Sequence, residues 1–185
     1  GMFILSIDIT ERKRFDVKLR ESGERYRALF EFSPIAVWEE DFSEVKARFD
    51  ALRVMGVTDF GKYFADHPDE AATCASLVKI VDVNQTSLAI FNASSKEDIP
   101  LKLNEYFAEK SYRVFMEELA ALASGITHFE SEITIFTTAK TEKDLFLSLD
   151  VVPGYTDTLE KVIVSFLDVT ERNKAIAALR ANEKR

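Results

Sequence analysis

The stretch Val162-Ile163-Val164-Ser165-Phe166-Leu167-Asp168-Val169-Thr170-Glu171-Arg172 constrains the fold most, because it predicts a strand running straight into a helix. The strand half is β-branched and aromatic and apolar at almost every position, the pattern of a strand covered on both faces. Asp168 is placed to accept from the first free N–H groups of the helix. Glu171, three residues on, is placed to reach back to the Asp168 N–H, an acidic variant of the capping box. The same pattern stands at Phe3-Ile4-Leu5-Ser6-Ile7-Asp8-Ile9-Thr10-Glu11-Arg12, and the match continues with Leu19-Arg20 against Leu179-Arg180 and Arg25 against Arg185. A repeat separated by the length of a domain marks whole modules rather than solenoid units. The expected organisation is the last strand of a preceding module (1–9, with Gly1 a tag remnant), an N-terminal linker helix (10–32), one module (33–169) and a C-terminal linker helix (170–185).

Between the two copies the periodicity alternates between helix and strand. Phe15, Leu19, Ser22, Tyr26 and Leu29 form a narrow heptad seam on the first helix, with Gly23 as its weak point. Such a stripe needs a cover, and Phe15, Leu19, Tyr26 and Leu29 are expected to form the seam of a homodimer. Ser33-Pro34 ends that helix, and Ile35–Glu40 reads as the first strand. Residues 42–75 read as a helical insertion: Ser43–Met55 with Val45, Phe49 and Leu52 on one face, a short helix capped by Thr58, and a third opening at Pro68. Leu77–Val83 is the second strand and Asn84 caps the helix after it. Ser94–Ile99 opens a helical turn, and Tyr112, Phe115, Met116, Leu119 and Leu122 mark a longer helix. Phe129–Ile135 and Leu145–Val151 alternate apolar with polar residues, as strands with one buried face do. The fold class is α+β: a five-stranded antiparallel sheet with helices on one face, an insertion between strands one and two, and flanking linker helices.

Two segments carry a family resemblance. The strand followed by Asp168-Val169-Thr170-Glu171-Arg172 resembles the C-terminal signature of PAS sensor domains, as found in bacterial and archaeal sensor histidine kinases and diguanylate cyclases. Lys79-Ile80-Val81-Asp82-Val83-Asn84-Gln85 through Phe91, with Ser95-Lys96-Glu97-Asp98-Ile99, resembles the family's strand-Asn-helix segment, Gln85 standing where members often have proline. The likeness runs from about Tyr26 to Arg172 and departs from the family in the 42–75 insertion. It implies a cytoplasmic sensor that holds a small ligand or a partner between sheet and helices. Trp38, Tyr106, Tyr112, Phe115, Leu119, Ile133 and Leu147 are the candidates to line that space. It also implies transmission through Asp168, Thr170, Glu171 and Arg172 to an output domain, a histidine kinase first and a diguanylate cyclase second.

Other chemistry is thinly represented. A net charge of −8 over 185 residues argues against a nucleic-acid surface, whose affinity comes from Lys and Arg on phosphates. No apolar run approaches the roughly 18 residues of a membrane span. There is no zinc spacing and no catalytic constellation; His67 and His128 read as an exposed helix start and a solvated strand start. The cofactor is left open. The histidine of heme-binding members has no counterpart on the 112–122 helix, and the single cysteine, Cys74, lies in the insertion, away from the flavin-reactive position of the light sensors. Glu39-Glu40-Asp41 reads as a solvated strand end, without the second polar group that carboxylate chemistry needs. Two further functions fit the chain: a ligand-free dimerisation spacer, marked by a core without a void, and a small enzyme, marked by convergent ionisable groups in a cavity.

Overall fold

The computed structural model describes residues 2–101, 106–107 and 109–183. Its single sheet is antiparallel throughout: β1 (Ala36–Asp41), β2 (Lys79–Val83), β3 (His128–Phe136), β4 (Glu142–Val151) and β5 (Val162–Asp168), in the spatial order β2-β1-β5-β4-β3. The last strand therefore sits in the middle of the sheet, paired with β1 on one side and β4 on the other. Its inward residues Val162, Val164 and Phe166 are buried, whereas Leu167 on the other face is exposed, so the strand is buried on one face rather than covered on both, because the helices lie over one side of the sheet.

Eight helices lie among the described residues: α1 (Met2–Glu31), α2 (Ser43–Val54), α3 (Phe60–Asp66), α4 (Pro68–Leu77), α5 (Gln85–Phe91), α6 (Asp98–Leu101), α7 (Glu109–Ala123) and α8 (Thr170–Glu183). The amphipathic α7 covers the inner face of β3 and packs against α3 and α4. The inserted helices carry their own apolar nucleus. Val45, Phe49 and Leu52 of α2 are buried, with Phe49 edge-on to Phe60 and Phe64 at 5.9 and 6.3 Å. Arg48 clamps Glu70 of α4 with two nearly parallel bonds of 2.6 and 2.7 Å, the planar fork geometry that fixes orientation as well as distance. Asp59, not Thr58, caps α3: its carboxylate accepts from the Lys62 N–H at 2.9 Å, because it stands directly before the first helical residue.

One expected element changes its type. Residues 2–9 are the first turns of α1 rather than a strand. A strand requires a neighbour for its N–H and C=O groups, and this segment pairs with none of the five strands, whereas a helix satisfies those groups internally. α1 also runs through Gly23 unbroken. Its seam residues Phe15, Leu19, Tyr26 and Leu29 are all exposed on the chain taken singly. Tyr26 nonetheless reaches its own domain, donating to Glu39 at 3.3 Å and stacking on Phe30. The final linker helix is described from Thr170 to Glu183; residues 184 and 185 lie outside the described residues.

Candidate functional site: a cavity with two buried carboxyls

A cavity of about 120 Å³ lies between the sheet and α7. The sheet contributes Trp38, Glu40, Ile133, Leu147, Val164 and Phe166, and the helix contributes Ser111, Tyr112, Val114, Phe115 and Glu118. Phe107, the two ends of the insertion at Phe42 and Ala75, and Val78 between α4 and β2 complete the wall. The insertion thus borders the cavity, and the Tyr112 hydroxyl fastens α7 to it by donating to the Pro68 carbonyl at 3.0 Å. Of the expected lining residues, Trp38, Tyr112, Phe115, Ile133 and Leu147 face this space. Tyr106 and Leu119 are fully buried but do not line it; Tyr106 packs edge-on to Phe91 at 5.2 Å, one ring behind Trp38.

The sequence reading missed Glu40 and Glu118. Their side chains are 7% and 5% exposed, and neither makes a hydrogen bond or ion pair with another described residue. Glu40 is inward because it follows Ala36 and Trp38 in the alternation of β1. The ladder with β2 slips beside it: Glu39 pairs with Asp82 and Glu40 with Ile80, leaving Val81 as the extra residue of a bulge, a device that re-aims neighbouring side chains. Glu118 stands three residues after Phe115 and four before Leu122, on the face of α7 that meets the sheet. Burial penalises the charged form of both groups. It pushes Glu40 up to about 8, and it raises Glu118 well above the carboxylate range, with the charge of Glu40 adding to the rise. Burial thus favours the protonated form of both carboxyls.

The neighbouring polar cluster is fully bonded. Asn84 is buried; its amide donates to the Phe30 and Ile35 carbonyls at 3.1 and 2.8 Å. Its carbonyl oxygen accepts from the Val37 and Ser87 N–H groups and the Ser87 hydroxyl at 3.0, 3.1 and 2.8 Å. Ser87 in turn accepts the Trp38 indole N–H at 3.1 Å. One asparagine thus caps α5, starts β1 and receives the end of α1.

At the other junction the Asp168 carboxylate accepts from the Thr170 N–H at 3.0 Å and its hydroxyl at 2.6 Å, and pairs with Lys143 at 3.1 Å. Burial alone would raise this carboxyl, but the Thr170 bonds and the Lys143 charge together hold it below its ordinary value. The second half of the expected capping box is not formed. Glu171 pairs with Lys174 at 3.0 Å, because the Asp168 backbone belongs to the β4–β5 ladder. Thr170 instead accepts from the Asp144 N–H at 3.0 Å, and Arg172 reaches Glu132 at 2.5 Å, so the first turn of α8 is docked on β4 and β3.

The remaining candidates have local roles. His67 precedes α4 and stacks on Tyr63 at 4.3 Å. His128 is exposed and pairs with Asp150 at 2.8 Å, which raises its pKa. Cys74 is a buried free thiol, pushed up to about 11 by burial.

An antiparallel sheet in the order β2-β1-β5-β4-β3, with helices over one face and a cavity between the layers, defines the PAS fold. A LOV protein of Rhodobacter sphaeroides shares it with a TM-score of 0.52 and 14% identity, over 89% of this chain and 76% of that one. A PAS domain of a protein from Colwellia psychrerythraea shares it with a TM-score of 0.50 and 12% identity, over 80% of this chain and 97% of that one. No family model matches the chain, and no curated protein matches it in sequence. Among the described residues no helix is long and apolar enough to cross a membrane.

Proposed function

We propose that this chain is a cytoplasmic sensory module. A small molecule or partner acts on the inter-layer cavity, and the change passes through β5 and the first turn of α8 to an output domain, a histidine kinase first and a diguanylate cyclase second. The observation that supports this best is the connection between the two sites: the central strand carries cavity residues Val164 and Phe166 and ends, two positions later, at the Asp168 clasp. A ligand that binds two arrangements of the sheet with different affinity biases the helix by that difference in free energy. Asp168, Thr170 and Arg172 are the coupling residues in this reading, and Glu171 extends the helix surface. The Phe15, Leu19, Tyr26 and Leu29 stripe pairs with the same stripe of a second copy.

The test is native mass spectrometry of the freshly purified protein, followed by hydrogen exchange of α8 with and without whatever is bound. The reading expects a bound small molecule whose removal loosens Thr170–Lys174. A cavity that takes nothing up, with α8 indifferent to every addition, favours the ligand-free spacer. The two carboxyls favour a second reading, a small enzyme using one of them as acid or base. Product formation from the bound molecule distinguishes it from simple binding.

A further inference from the structure

We propose that the cavity takes a small organic cation, an alkylammonium with a short apolar body, seated between Glu40 and Glu118. This rests on the sensory reading above and specifies its ligand class.

The argument begins with what the lining offers. Most of it is apolar: Trp38, Phe115, Ile133 and Leu147 give a ligand's carbon body contact and no hydrogen bonds. The two hydroxyls have already spent their protons, Ser111 on the Thr134 carbonyl and Tyr112 on the Pro68 carbonyl, so each offers only lone pairs. The two carboxyls are more than nine-tenths buried and bond to no other described residue. Among the described residues, the only side-chain protons the site can give up are thus those of Glu40 and Glu118, and the other side-chain polar atoms of the lining accept. An anion meets acceptors and a pair of acids. A neutral alcohol gains one ordinary hydrogen bond. An ammonium supplies three donors and the positive charge that lets both carboxyls ionise, turning unpaired buried acids into charge-assisted bonds.

A bare metal ion fits less well. Calcium and magnesium require six or more oxygen ligands, and no group of three or more His, Cys, Asp or Glu is gathered among the described residues. Size sets the body. A cavity of about 150 Å³ accepts benzene, so one of about 120 Å³ suits a ligand of roughly five non-hydrogen atoms. The binding is linked to protons. Among the described residues, Tyr112 of α7 is the one other titratable group in the lining, and β1, β3, β4, β5 and the insertion add no further charged side chain to it. Cation binding therefore expels protons from the two carboxyls, and affinity rises with pH until both are ionised in the free protein.

Three probes of similar size separate the possibilities by calorimetry: n-butylammonium, n-butanol and butyrate. The proposal expects n-butylammonium to bind best, with two protons released and affinity rising by up to about a hundredfold per pH unit while both carboxyls are protonated in the free protein. Glu118→Gln and Glu40→Gln should each weaken n-butylammonium by on the order of thirtyfold, the scale of losing one partner of a buried charge pair. In both variants n-butanol should bind as before, which also reports that the cavity has kept its shape. If n-butanol or butyrate binds the wild type as well as n-butylammonium does, the cation assignment is wrong and the sensory cavity stands. If none of the three binds, the cation assignment and the ligand-binding cavity fall together.

Discussion

Trp38 and Glu40 are consecutive inward residues of β1, yet the polar groups beside them are built on opposite terms. Around Trp38, Asn84 and Ser87 satisfy one another and three backbone segments at once. Two positions along, Glu40 meets Glu118 across an apolar cavity, and neither has a partner among the described residues. Buried polar groups in folded proteins are bonded as a rule. A cluster that obeys the rule holds the fold together, and one that breaks it lowers stability unless something else occupies the site. The first cluster is therefore structural, and the second is the place where the proposed ligand would act.

The comparison predicts opposite signs for equally conservative changes. Asn84→Ala should cost roughly 3–5 kcal/mol in denaturant unfolding, because the Ile35 carbonyl, the Val37 N–H and the Ser87 hydroxyl all lose a buried partner at once. A loss below about 1 kcal/mol would place water in the asparagine's position and end the contrast. Glu118→Met should stabilise the ligand-free domain by on the order of 1–3 kcal/mol at neutral pH, since an apolar side chain of similar length removes an unpaired buried acid. Destabilisation there would reveal a partner for Glu118 and make it part of the scaffold.

The pH dependence sharpens the same point. The folded pKa of Glu40 is about 8, against an ordinary 4.5, so the folded state keeps a proton that the unfolded state has lost across that window. The stabilisation from that retained proton is fully present below the unfolded value and disappears as pH rises through the folded one. Unfolding free energy should fall by about 1.4 kcal/mol per pH unit for this group between those limits. Glu40→Gln should flatten that slope in urea titrations run across the window, and an unchanged slope would show Glu40 ionised in the fold. The smallest effect belongs to the other junction. Asp168→Ala removes a helix cap and should cost about 1 kcal/mol. In the full-length protein it should leave the domain folded while its output no longer follows the stimulus. An unchanged response in the folded variant would remove Asp168 from the transmission path.

Much of this architecture is legible in the chain. The alternation in Phe129–Ile135 and Leu145–Val151, the Asn84 cap and the strand that ends at Asp168 each follow from local period or local chemistry, and the sheet uses them as read. Residues 2–9 carry a strand's composition but are helical in this chain, where none of the five strands pairs with them, because pairing is not a local property. The cavity was half legible. Trp38, Tyr112, Phe115, Ile133 and Leu147 are large apolar side chains on buried faces, whereas Tyr106 and Leu119 share that description and lie one layer back. Glu40 was hidden in Glu39-Glu40-Asp41, which reads as a solvated strand end. The signal against that reading was present: counted from Ala36 and Trp38, Glu40 is inward, and Glu118 shares a helical face with Phe115 and Leu122. Periodicity places a glutamate on a buried face, but only the assembled fold tells whether a cation meets it there.

The state of that pair can be observed directly by carbon-13 NMR titration of the glutamate side-chain carboxyls in the ligand-free domain. Two glutamates should remain protonated at pH 7 while the exposed ones have ionised, and Glu40→Gln and Glu118→Gln should each remove one of the two signals. If every glutamate has lost its proton by about pH 5.5, close to the ordinary range, the carboxyls are solvated or paired and the cavity is not the site described.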